Sequence, residues 1–250
     1  MADFSTVLTR MLPERALSVA VRLSKELLRK HAARVKGDKA IIDSVVASVW
    51  VTTMRHDTCG VAPYKSEQEG DFSELVVASV HLHTEATPAQ INRVQQLTHI
   101  AVPYPLLLAI ETGKAAYLSI LPPEASLDSM VRAQVFSEIS EFFCFVNWQQ
   151  ETPHPHLLAL FNHWSCAIHA LALMQNKPAL CTELPFVPLS SPQTAARLST
   201  ELHHLNQEWK TTSLDLKKAT NPQQRITLSK KCRQLGVQIH QLLQSHHLLP

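Results

Sequence analysis

The chain has 250 residues, 45% of them hydrophobic and 18% charged, and a net charge of +2 at pH 7. That balance belongs to folded proteins and excludes a disordered chain, and the length suits one large domain or a domain with an appendage. Five glycines against fifteen prolines argue against a glycine-loop nucleotide binder.

The small net charge hides a polarised distribution. Residues 1–39 carry nine Lys/Arg against four Asp/Glu, residues 40–189 six against fourteen, and residues 190–250 eight against three. Basic ends around an acidic middle suit a nucleic acid, or complement each other or a partner. The five cysteines (59, 144, 166, 181 and 232) show no close pairing. No secretory leader is legible, and no apolar run approaches the roughly 20 residues that a membrane helix needs. The expectation is a reduced, cytoplasmic protein without membrane contact.

In chain order, residues 3–12 read as a short helix stopped near Pro13. Between Ala16 and Leu23, residues Leu17, Val19, Val21 and Leu23 alternate as a strand would, although one long amphipathic helix through Lys30 fits as well; the strand is favoured. Ser24 then caps a helix through Lys30, Gly37-Asp38 opens another, and Val45–Thr53 is β-branched enough for a strand. Arg55–Asp71 reads as a loop, and Glu74–His83, apolar on both sides, as a central strand. Thr87-Pro88 pairs a cap with a proline at the first helical position. Leu106–Ile110, the turn Glu111–Lys114 and Ala115–Leu121 form a β-hairpin, and a further strand falls within Val131–Val146. Pro153–Met174 is a long, mostly buried helix, and Pro178–Pro192, with four prolines, a linker.

The last fifth of the chain carries two heptad stripes. Leu198, Leu202, Leu205, Trp209, Thr212, Leu216 and Ala219 step by alternating fours and threes, as do Leu228, Cys232, Leu235, Ile239 and Leu242. Asn221-Pro222 breaks the helix between them, since proline lacks the N–H and restricts the residue before it. The expected fold is therefore α/β (α+β): a mixed sheet with flanking helices over 1–152, a bridging helix at 153–177, a linker at 178–192, and a C-terminal antiparallel helical hairpin at 193–250.

The segment Ile100-Ala101-Val102-Pro103-Tyr104-Pro105-Leu106-Leu107-Leu108 resembles the strand entry of a bacterial and archaeal family, domain of unknown function 4391. The order of features is similar too: Arg22-Leu23-Ser24-Lys25, the Val49-Trp50 strand, the Glu74 strand, the Gly113-Lys114 turn, the helix Leu157–Ala172 and a basic terminal coil. Two stretches depart from the pattern. Asp57-Thr58-Cys59-Gly60-Val61 replaces a polar Thr-Asn stretch, and Leu121-Pro122-Pro123-Glu124 stands where a Lys-Arg pair is expected. The resemblance implies no established activity. It implies a setting beside helicase and DNA-methyltransferase components of bacterial restriction-modification or phage-defence loci.

No catalytic residue, cofactor or metal site follows from the residues. His81 and His83 share a strand face, and His154, His156, His163 and Cys166 cluster in sequence, but neither set completes a zinc pattern. Asp71 and Glu74 offer carboxylates for a metal-dependent nuclease, yet no lysine follows within one or two positions, and Lys114 lies on a turn. The first expectation is a non-enzymatic accessory or adaptor protein. Its seam (Leu198, Leu202, Leu205, Trp209, Leu216, Leu228, Leu235, Ile239 and Leu242) would dock a larger protein such as a helicase or DNA methyltransferase, or a second copy. The alternatives are direct nucleic-acid binding through Lys25, Lys210, Lys217, Lys218, Arg225, Lys230, Lys231 and Arg233, and the nuclease.

Overall fold

The computed structural model describes residues 5–32, 37–83, 86–113, 115–123, 125–135, 140–149, 154–176, 178 and 184–248. The chain divides into two compact units, Met1–Ile168 and His169–Pro250. Helix α8 crosses the division, and each unit is taken by itself.

The first unit begins with α1 (Thr6–Met11), α2 (Glu14–Ser18), β1 (Val21–Leu23), α3 (Glu26–Ala32), α4 (Asp38–Val45) and β2 (Val46–Met54). It continues with α5 (His56–Cys59), β3 (Tyr64–Ser66), β4 (Gly70–Phe72), β5 (Leu75–Leu82), α6 (Pro88–Ala101), β6 (Leu106–Glu111) and β7 (Ala116–Leu121). After a 3-10 turn at Leu127–Ser129 come β8 (Val131–Val135), α7 (Ser140–Val146) and α8 (Leu157–Gln175). The fold class is α+β. Six strands form a mixed sheet in the order β1-β2-β5-β6-β7-β8, and β3 and β4 form a separate ribbon. All neighbours run antiparallel except β5 and β6, which pair in parallel from Val76↔Leu106 to His81↔Glu111. A parallel pair needs a crossover, and α6 supplies it.

Side chains alternate across the sheet, so its two faces differ. On one face Val76, Ala78, Val80, Leu106, Leu108 and Ile110 pack with Leu28 of α3, Ile42 of α4, and Ile91, Val94 and Leu97 of α6. Asp38 and Arg93 tie α4 to α6 through a paired contact of 2.9 and 2.7 Å, with Asp38 buried. On the other face Thr52 donates to the Ala16 carbonyl of α2, and the Ser5 backbone N–H donates to Ser79 Oγ.

Local chemistry sets the ends of α6. The Gln90 N–H donates to Thr87 Oγ1 while the Thr87 N–H donates to Gln90 Oε1, a reciprocal capping box. At the far end Val102 turns extended before Pro103. In the ribbon, Gly70 holds φ at +93° opposite Ser66, the left-handed residue that a short hairpin loop needs.

Several expectations need correction. Only Val21–Leu23 of the proposed strand at 16–23 is β; its first half is α2, where Ala16 is buried. The loop at 55–71 holds α5 and the β3–β4 ribbon, short elements that leave little periodic signal. The strand expected within Val131–Val146 is β8, and the end of that segment forms α7. One helix among the described residues, α8, is long and apolar enough to cross a membrane, although no such run was expected; 72% of that window is buried within the structure. Lys114, Cys181 and Pro153 lie outside the described residues.

The second unit holds α9 (Pro192–Lys218) and α10 (Pro222–Ser245), which pack against each other as a hairpin. Ser191 and Asn221 cap them, each followed by proline at the first helical position. Ala195, Leu198, Leu202, Ile239 and Leu243 form a cluster with Leu173, Leu184, Leu189 and Leu248. The proline-containing segment is thus anchored at Leu184 and Leu189.

Two stability outcomes follow. Asp38→Ala leaves the partly exposed Arg93 guanidinium with Gln96 alone and lowers unfolding free energy by about 1–3 kcal/mol, less than the loss of a fully buried pair, whereas Asp43→Ala, at an exposed pair with Arg29, costs under about 1 kcal/mol. Ile239→Ala opens a cavity in the hairpin cluster and costs about 2–4 kcal/mol. Urea unfolding of each variant checks both.

Candidate functional site

Burial on the hairpin departs from a strict heptad. Leu198 and Leu202 are buried on α9, and Asn206 takes the next buried position, while Leu205 and Trp209 are half-buried against the cluster. On α10 the buried residues are Leu235, Ile239 and Leu243, with Leu242 half-buried. Together the buried and half-buried positions make an apolar face broader than a two-position seam. Leu216 and Leu228, nearer the connection at Asn221, are only half-buried. The seam residues therefore meet their counterparts within the hairpin at its base and lose cover toward the tip.

The basic residues behave differently. Lys210, Lys217, Lys218, Arg225, Lys230, Lys231 and Arg233 are all exposed. Lys231 bridges to Glu208 across the helices at 2.8 Å, which pulls the Glu208 carboxyl below its ordinary value and raises that of the lysine. The other six have no ion pair among the described residues. Between 210 and 233 they face a single carboxylate, Asp215. Lys25, half-buried at the start of α3, belongs to the first unit and is not part of this group.

A cleft of about 660 Å³ lies at the start of β5 and β6, and its walls include the Pro103-Tyr104-Pro105 segment. Asp71 and Glu74 both line it. Asp71 is engaged, by Lys65 Nζ at 2.8 Å and by the Ser73 backbone and hydroxyl, which lower its carboxyl to about 2. Glu74, half-buried, has no partner among the described residues. His99 of α6 forms part of the wall; its Nε2 lies 3.0 Å from Ser119 Oγ, and burial holds its value down at about 4, so the ring is neutral near pH 7. The lysine that meets Asp71 is thus Lys65, brought in by the ribbon rather than by the strand that follows Glu74.

A second polar cluster sits at the opposite end of β5. Ser79 Oγ lies 3.2 Å from His81 Nε2, and His81 Nδ1 lies 3.5 Å from Glu111 Oε2, across the parallel register. Ser5 Oγ and the Thr6 N–H donate to the other Glu111 oxygen at 2.6 and 2.9 Å. Ser79 is fully buried beneath that segment, so the cluster fastens the N-terminal segment to the sheet. Sequence reading had His81 but not Ser79, Glu111 or Ser119; only strand alternation hinted that Ser79 and His81 share a face.

The histidines of the α8 region are also placed. His154 and His163 meet edge-on at 4.8 Å, and His163 Nε2 contacts the Phe145 carbonyl at 2.9 Å. His156 stacks on Tyr64. Cys166 is buried, and burial pushes its thiol up to about 11. Among the described residues no group of three or more His, Cys, Asp or Glu is arranged to hold a metal ion. Cys59, Cys144, Cys166 and Cys232 are free thiols.

In comparisons with known proteins, the family described as Domain of unknown function (DUF4391) matches residues 11–239. No curated protein and no solved structure matches the chain.

Burial of neutral histidines gives the fold a defined acid sensitivity. His99, His154 and His169 are each held near 4, below the ordinary 6.5. The unfolded chain therefore binds more protons than the folded one between those values, and stability falls as pH drops from about 6.5 toward 4. Chemical denaturation at pH 7 and pH 4.5 should show this loss, and His99→Gln should reduce it by about 2–3 kcal/mol.

Proposed function

For a chain that belongs to the DUF4391 family, we propose an accessory role in which the C-terminal hairpin contacts nucleic-acid phosphates. The observation that carries this reading is the set of exposed, unpaired cations toward the hairpin tip: Lys210, Lys217, Lys218, Arg225, Lys230 and Arg233. A charge excess of this kind on a helical hairpin is the electrostatic footprint of a polyanion contact. At 27 residues α9 is about 40 Å long, enough to follow several phosphates along one strand. The apolar seam, turned inward at its base, contributes shape to that element. Its open stretch at Leu216 and Leu228 is the place where a larger protein partner would join.

The binding is independent of base sequence, because Trp209, the one Phe, Tyr or Trp of the two helices, packs against the cluster at its base and offers little to stack on. A helicase or DNA methyltransferase of a restriction-modification or phage-defence locus, the setting that the family resemblance suggests, would bring the nucleic acid to the hairpin. In this reading the protein catalyses nothing itself.

Fluorescence anisotropy with a labelled duplex tests the reading. Four engaged phosphates give a slope of about −3.6 in log affinity against log salt, so a fourfold rise in salt weakens binding roughly 150-fold. A variant carrying Lys217→Glu, Lys218→Glu, Arg225→Glu and Lys230→Glu should lose the binding at low salt while circular dichroism stays unchanged. Lys231 is left intact because its reversal would face Glu208 and open the hairpin. Equal affinity in the variant, or an affinity that does not respond to salt, overturns the proposal.

A further inference from the structure

The cleft at the start of β5 and β6 is not used by the hairpin reading, and it has the makings of a small-ligand site. Its volume of about 660 Å³ lies within the range of such sites. Prolines 103, 105, 122 and 123 contribute to its walls, and their fixed φ leaves the walls little freedom to collapse. Gly70 lines the same wall beside Pro123, and its φ of +93° suits glycine. A rigid cleft that keeps its shape when empty lowers the ordering cost of binding.

The polar groups in it define what fits. Glu74 presents a half-buried carboxylate with no partner among the described residues, whereas Asp71 beside it is already taken by Lys65 and Ser73. Two carboxylate oxygens accept two parallel N–H bonds and repel an acceptor placed between them. Tyr104 lines the cleft with its ring about half exposed, a free face for stacking. Arg55, also lining it, makes a long ion pair of 3.5 Å to Asp57 and keeps donors for an anion. A planar ring with two adjacent N–H donors, joined to a phosphate, satisfies all three groups.

Among the bases this pattern is the edge of guanine, whose ring N–H and amino group point the same way. Adenine and cytosine set a ring acceptor beside their amino group, and that acceptor would meet the Glu74 carboxylate. We infer that the cleft binds a guanine nucleotide, with Glu74 on the donor edge, Tyr104 against the ring and Arg55 toward the phosphate. His99 stays a neutral part of the wall, held by Ser119. The ligand is either a free nucleotide or an unstacked guanine in a single strand, since the recognised chemistry is shared.

Amide NMR of the full chain, titrated with GMP, AMP and inorganic phosphate, tests this inference. GMP should shift the signals of Glu74, Val102 and Tyr104 and bind at least about tenfold tighter than AMP, the scale of a charge-assisted pair. Glu74→Gln should bring GMP down to the level of AMP, and Tyr104→Ala should weaken both. No shift with GMP at millimolar concentration, or equal binding of AMP, overturns the inference, as does an unchanged preference in Glu74→Gln. A single-stranded tetranucleotide containing one guanine separates the two sources: tighter binding than GMP assigns the base to a strand, and equal binding assigns the free nucleotide. The hairpin variant with four reversed charges should keep its GMP affinity, so failure here and failure of the hairpin reading are told apart.

Discussion

The parallel pairing of β5 with β6 is the constraint on which the first unit depends. Two parallel neighbours cannot be joined by a tight turn, so the chain must leave the end of β5, cross one face of the sheet and return to the start of β6. Helix α6 makes that return, and its last turn delivers His99 and then Pro103–Pro105 to the sheet edge where β5 begins. The Val76 N–H donates to the Pro105 carbonyl at 2.9 Å and closes the entry. The cleft at Glu74 and the pairing of His81 with Glu111 at the other end are both consequences of this one crossover.

Polar groups inside the sheet layers follow from the same alternation. Ser79 and Ser119 are both completely buried, on opposite faces, and each finds a partner carried by a helical or N-terminal segment: Ser5 for one, His99 for the other. Buried hydroxyls and imidazoles left without partners would each cost about 1–3 kcal/mol. They work here as fasteners for the layers. The Asp38–Arg93 pair does so for α4 and α6, where a guanidinium fork on a carboxylate fixes both distance and orientation.

The hairpin obeys a different economy. Its base is held by leucines and an isoleucine, its tip by little more than helix caps and the Glu208–Lys231 bridge. Few buried contacts and many like charges make the tip the least stable part of the second unit. The same lack of cover leaves its cations open to a polyanion, so low local stability and electrostatic availability have one origin.

Much of this was legible in the sequence because it is local. The Thr87-Pro88 and Asn221-Pro222 starts, the apolar run of β5, the Leu106–Leu121 hairpin and the two C-terminal helices each carry their signal in adjacent residues. The proposed strand at Ala16–Leu23 misled, since its alternation also fits a short helix followed by three strand residues. Leu205 and Leu242 of the heptad seam pack half-buried against the cluster beside the buried Asn206 and Leu243, because a face packed on a cluster is wider than a two-helix seam. By itself the sequence determined the order and type of most elements, the apolar faces and the basic character of the tail. The tertiary structure alone decided that Lys65 reaches Asp71, that Ser79, His81 and Glu111 meet, and that Glu74 lines a cleft with Tyr104 and Arg55. The meeting of His81 with Glu111 and the lining of the cleft join residues far apart in the chain, and they exist only once the crossover and the strand register have placed them side by side, while Lys65 meets Asp71 only through the register of the β3–β4 ribbon.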